Sequence, residues 1–158
     1  MDSTVQKLVA RLVGQSCERK RVGRNRSLSL GFGEPAKRSE IAGTPYREWE
    51  LGTYYCAWRI VKGGMVLCAS QDPADSIDEL NQALNGIELG RFCSLRQVGE
   101  MDVRVELDNG CAIDFLATIS DDGECFHIFC PESICVVFSP ADGWQIGPSD
   151  KPWNPRDC

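Results

Sequence analysis

His127 is the only histidine of the chain, and Cys125, Cys130 and Cys135 lie close to it along the sequence. Two chemistries use such residue types. A Cys–His or Ser–His pair makes a nucleophile when an acid, here Asp114 or Asp122, orients the ring. A metal ion would instead take Cys125, His127, Cys130 and Cys135. Spacing speaks against both. In a strand, residues 125 and 127 share one face while 130 points to the other, and no Cys-x-x-Cys knuckle supplies the paired thiolates of a zinc site. The expectation is therefore no catalytic residue, no metal and no cofactor, with His127 a strand residue. The enzymatic alternative places His127 beside a cysteine in a ligand pocket between two halves of the chain.

Other motifs add little chemistry. "GFGEPA" (31–36) fits a loose glycine-rich phosphate pattern, but no amphipathic helix follows to receive a phosphate. No Walker sequence and no DxDxDG calcium loop occurs. The basic run "ERKRVGRNR" (18–26) lacks interleaved aromatics for base stacking and reads as a solvated hairpin tip. Opposite in sign are Asp72, Asp75, Asp78 and Glu79, and then Asp121, Asp122 and Glu124, groups suited to a cationic partner.

The elements that position these residues follow from periodicity. Val5, Leu8, Val9 and Leu12 recur at helical spacing after Asp2 or Ser3 as N-cap, predicting a helix from Ser3 to Val13 that ends at Gly14. A second helix starts at Asp75 or Ser76, with Ile77, Leu80, Ala83 and Leu84 facing inward and Gly86 at its end. After each helix the period becomes two. Val103, Val105 and Leu107 alternate with charged residues, Asn109-Gly110 makes a hairpin turn, and Cys111, Ile113 and Phe115 resume the alternation, one face buried and one wet. Leu28, Leu30 and Phe32 do the same earlier.

The pattern repeats. Val5 falls on Ile77, Leu8 on Leu80, Leu12 on Leu84 and Gly14 on Gly86 without a gap. "CAWRIVKGGMVLCAS" (56–70) likewise overlies "CFHIFCPESICVVFS" (125–139), placing Trp58 on His127 and Ile60 on Phe129. The first of these hairpins turns at Gly63-Gly64, the second at a type I turn led by Pro131. The expected fold is α+β, an antiparallel sheet or partly closed barrel with two helices, built as a single domain over 1–158. Its two α-β-β-β-β halves cover 3–71 and 75–140, and 141–158 is an extended tail held only if Trp144 or Trp153 docks. Glu34 to Thr44 is the expected mobile loop.

The chain of 158 residues carries a net charge of -6, which disfavours nucleic acid and anionic membranes as direct partners. The start, Met-Asp-Ser-Thr, has no continuous apolar run of an export signal, and a cytoplasmic location with free thiols at most of the nine cysteines is expected. In size, acidity and expected architecture, and in the phrases "LVGQ" (12–15), "LSLGFGEP" (28–35) and "AWRIVKGGMVL" (57–67), the chain resembles small bacterial immunity proteins of contact-dependent inhibition and polymorphic toxin systems, over residues 4–140. That resemblance implies a stoichiometric inhibitor and no enzyme. Its partner would be a cognate toxin domain, plausibly a basic nuclease, met by a face containing Asp75, Asp78, Glu79, Asp121, Asp122 and Glu124. Oligomeric state is left open between monomer and homodimer.

Overall fold

The computed structural model describes residues 1–36, 46–120 and 123–151. Over these residues the chain forms helix α1 (Ser3–Ala10), then β1 (Cys17–Val22), β2 (Leu28–Pro35), β3 (Arg47–Thr53), β4 (Ala57–Lys62) and β5 (Met65–Ala69). Helix α2 (Ile77–Asn85) follows, then β6 (Phe92–Val98), β7 (Asp102–Leu107), β8 (Cys111–Leu116), β9 (Phe126–Cys130), β10 (Ile134–Ser139) and β11 (Gly143–Pro148). The fold is α+β, and its strands form two antiparallel sheets rather than a closed barrel. Their orders are β1-β2-β3-β9-β10-β11 and β5-β4-β8-β7-β6.

Each half is thus one helix and five strands, one strand more than the sequence reading allowed, and the halves exchange their last hairpins. The meander β1-β2-β3 is extended by β9-β10 from the second half, and β6-β7-β8 by β4-β5 from the first. Register repeats with the topology. Cys17↔Phe32, Lys20↔Leu30 and Val22↔Leu28 reappear, at one constant offset, as Phe92↔Leu107, Leu95↔Val105 and Gln97↔Val103. Even the bulge between Cys17 and Arg19 recurs between Phe92 and Ser94.

The hairpin match read from sequence is off by one residue. Ile60↔Ile113 and Ile128↔Leu51 occupy the same place in the two sheets, so Ile60 corresponds to Ile128 and Arg59, not Trp58, to His127. A one-residue slip turns every side chain to the other face. Trp58 is 1% exposed in the core, beside Ile60, whereas Phe126 and Ile128 take the inward places on β9.

The core gathers the inward faces of both sheets, with Leu28, Leu30, Phe32 and Leu51 from one and Val103, Val105, Ile113 and Phe115 from the other. Phe115 packs against Phe126 with ring centroids 4.8 Å apart. Asp2 caps α1 by accepting the Thr4 and Val5 amides at 2.9 and 3.0 Å, and Val5, Val9 and Leu12 bury the inner stripe. The regular helix ends at Ala10, short of Val13, because the chain tightens into three-residue turns. Gly14, at φ +85°, then donates to the Phe92 carbonyl. In α2 Leu80 and Leu84 are buried as expected, but Ile77 and Ala83 are exposed.

The Asn109-Gly110 hairpin turn between β7 and β8 forms as expected, whereas the Pro131 turn differs. Only Gly110 of the Asn-Gly pair has positive φ, and its N–H donates to the Leu107 carbonyl at 3.4 Å, so the loop is a three-residue turn with a left-handed glycine. Beyond Pro131, Glu132 and Ser133 both lie at positive φ, which a type I turn does not contain. The basic run is a solvated tip only in part: Arg21 and Arg24 are exposed at the β1–β2 hairpin, but its other cations are engaged. Arg19 meets Glu50, Lys20 caps the carbonyls of Asn85 and Ile87, and Arg26 donates to the carbonyls of Ser70, Asp72 and Ala74. Nor is 141–158 only a tail, since 143–148 is β11, paired with β10. Trp144 packs on Phe138 with ring centroids 4.9 Å apart, and its indole N–H donates to Gln97 at 3.1 Å. Trp153 and most of Glu34 to Thr44 lie outside the described residues.

Close strand approach makes Gly52 indispensable. A Cβ there would sit 1.9 Å from the Leu28 carbonyl oxygen, and the nearest atoms are all β2 backbone, which cannot yield as a side chain would. Gly52→Ala is expected to destabilise the protein by about 3 kcal/mol in urea unfolding, the scale of an overpacked core. An unchanged midpoint would contradict the β2–β3 spacing.

Candidate functional site

The outer face of the five-stranded sheet is built by alternation. Because Trp58 and Ile60 point inward on β4, Arg59 and Val61 point out; by the same rule Asp114 leaves the outer face of β8 and Arg104 and Glu106 that of β7. Pairing aligns Arg59, Asp114 and Arg104 across three strands. The Arg104 guanidinium donates two bonds to the Asp114 carboxylate, at 2.6 and 3.0 Å, and Arg59 Nε donates a third at 2.8 Å. The arginines cover the carboxylate, whose side chain is 7% exposed. The wet face expected of β8 is therefore dry at Asp114. Burial pushes its pKa up, but the hydrogen bonds and charges of Arg104 and Arg59 outweigh that and hold it below the usual carboxylate range.

Arg59 and Arg104 of this triad line an open groove of about 510 Å³ whose walls also include Val61, Lys62, Val66 and Glu106. The groove runs to the free edge of the sheet at β5. There Met65, Val66 and Leu67 are 66%, 53% and 38% exposed. Edge strands are ordinarily protected by charge, proline or a covering segment. β5, Met-Val-Leu-Cys-Ala, carries neither charge nor proline, and β11 covers only its repeat counterpart β10. A strand edge with an apolar surface can accept another extended segment.

The acidic residues singled out from sequence divide into separate groups. Asp75, Asp78 and Glu79 lie together and exposed at the start of α2, soon after β5 in the chain. Glu79 also works locally, since its carboxylate accepts the Asp75 amide at 3.0 Å while Ser76 Oγ accepts the Glu79 amide at 3.2 Å, a reciprocal cap. Asp72 accepts the Ala69 amide and closes the end of β5. Glu124 is not part of that group: its carboxylate bonds His127 Nδ1 at 2.5 Å. Asp121 and Asp122 lie outside the described residues.

His127 is held on three sides. Besides Glu124 it contacts the rings of Tyr54, at 4.5 Å, and Phe129, at 4.9 Å, and its side chain is 5% exposed. The acid beside it is thus Glu124; Asp114, one of the orienting acids considered from sequence, is committed to two arginines in the other sheet. Cys135 of the adjacent strand has its thiol pushed up to about 12 by burial, which keeps it protonated and poorly nucleophilic. Among the described residues no group of three or more His, Cys, Asp or Glu side chains is placed to hold a metal ion.

Sequence reasoning missed the Arg59–Asp114–Arg104 triad and the open β5 edge. The outward charges were visible, but β4 and β8 belong to different halves, and nothing local announces that they pair. Asp114→Asn is expected to cost about 2 kcal/mol by stranding two guanidiniums over a neutral amide. Because the folded-state carboxyl titrates low, its contribution is complete at neutral pH and is lost as pH falls from the ordinary carboxylate value through its own. Acid unfolding curves should therefore be shallower for the variant in that window. No protein-family model, curated protein or solved structure matches this chain.

Proposed function

We propose that the chain is an interaction protein, an immunity protein that binds and neutralises a cognate bacterial toxin domain. The edge of β5 is the centre of the contact and the acidic start of α2 its rim. One observation carries the reading: a wholly apolar strand, Met65-Val66-Leu67-Cys68-Ala69, lies on an unpaired edge beside a groove. An extended segment of the toxin domain would continue the sheet through backbone hydrogen bonds, with side chains packing on Val66 and Leu67. Interfaces combine such an apolar centre with a polar rim. Asp72, Asp75, Asp78 and Glu79 supply negative charge within reach of that edge along the chain, which suits a basic domain and speeds encounter by steering. The net charge of -6 acts in the same direction.

The alternative, an enzyme or ligand-binding domain using His127, draws less support, since the ring is enclosed by Glu124, Tyr54 and Phe129. Co-expression with the toxin domain encoded beside its own gene is expected to restore growth and yield a stable complex. In titration calorimetry Val66→Lys should weaken that complex about tenfold or more, roughly 1.4 kcal/mol, while His127→Gln leaves growth protection intact. A complex indifferent to Val66, a chain that binds none of the adjacent toxins, or protection lost with His127 in a folded variant would each overturn the proposal.

A further inference from the structure

Cys56 and Cys125 meet where the two halves cross. The connection from β3 to β4 carries the chain from the six-stranded sheet to the five-stranded one, and that from β8 to β9 carries it back. The two connections are bonded to each other: the Ala57 amide donates to Thr118 Oγ1 at 3.2 Å, and the Cys56 thiol lies 3.9 Å from the Glu124 carbonyl. Within this crossing the Cys56 and Cys125 thiols are close enough to shift each other's titration. Both line a cavity of about 190 Å³ whose wall includes the half-exposed Met101 and Ile119; Cys56 is 8% exposed and Cys125 fully buried, so the cavity leads to Cys56 first.

We propose that Cys56 and Cys125 are an oxidation site, a dithiol that peroxide-class oxidants convert to a disulfide joining the two crossovers. The sulfurs are not equivalent. The neighbouring Cys125 thiol pulls Cys56 below the ordinary thiol range, against the opposing effect of burial, while Cys56 and burial together hold Cys125 up. Cys56 is therefore the attacking thiolate. Its sulfur takes one peroxide oxygen as the O–O bond breaks, and the departing hydroxide is protonated to water. Cys125, losing its proton, then attacks the Cys56 sulfenic sulfur and expels the second oxygen as water. The two sulfurs lose two electrons and the peroxide gains them.

The remaining described cysteines lack this arrangement. Burial holds Cys17 and Cys130 up at about 12, and Cys93 is exposed on an outer strand. A disulfide here would link residues far apart in sequence and pin the place where the hairpins are exchanged.

The test is limiting hydrogen peroxide on the reduced, folded full-length chain, followed by alkylation, intact mass and peptide mapping. The expected product has lost two hydrogens and contains a Cys56–Cys125 peptide that dithiothreitol cleaves, with a raised melting temperature. Cys125→Ser should stop at a sulfenic acid on Cys56, captured by dimedone, and Cys56→Ser should leave Cys125 a thiol. A first crosslink between other cysteines, or Cys56 carried to sulfinic acid in the wild-type chain while Cys125 stays reduced, would overturn the proposal even if a serine variant failed to fold.

Discussion

Two strand pairings hold this molecule together, β3 with β9 and β4 with β8, and each joins one half of the chain to the other. They are the same pairing made twice. Glu50↔Phe129, Leu51↔Ile128 and Gly52↔His127 correspond to Ala112↔Val61, Ile113↔Ile60 and Asp114↔Arg59. Neither half completes a sheet alone, because its last hairpin lies on its partner's meander. Stability therefore rests on contacts distant in sequence, whose loop-closure entropy must be met before they stabilise anything. The thiol pair at the crossing is a local consequence of that exchange.

Charge is distributed in answer to the same geometry. Cations that look like a nucleic-acid arm in the sequence bind backbone carbonyls and carboxylates: Arg26 fastens the segment after β5, Lys20 the end of α2, and Arg19 the buried Glu50. Asp114 holds two arginines on the outer face. Asp75, Asp78 and Glu79 stay in water at the start of α2, soon after β5, which among the described edge strands carries neither charge nor proline. Departure from the duplicated plan creates that edge. After β10 the chain adds β11, whereas after β5 it turns into α2.

Much of this was legible from residue types. Alternation identified the inward faces of β2, β7 and β8, and helical spacing with Asp2 and Ser76 located both helices. Duplication was legible too, though its hairpin register was not: the Cys, Ser and apolar residues of 56–70 and 125–139 align best one residue away from the structural match. Identity rewards shared residue types, whereas structure rewards the face on which a side chain lands. The candidate site was less legible. Asp75, Asp78 and Glu79 were picked out by charge alone, but Glu124 is engaged by His127, and Arg59, Asp114 and Arg104 meet only because β4 crosses to the other half's sheet.

By itself the sequence determined the two helices and the strands β2, β4, β5 and β7 to β10, and which side chains of most of these strands seek the core, because periodicity is a property of a single segment. Tertiary structure alone decided which strands are neighbours, in what register, and which edge remains open. Those outcomes depend on residues far apart in the chain, and local alternation is equally satisfied by several partners.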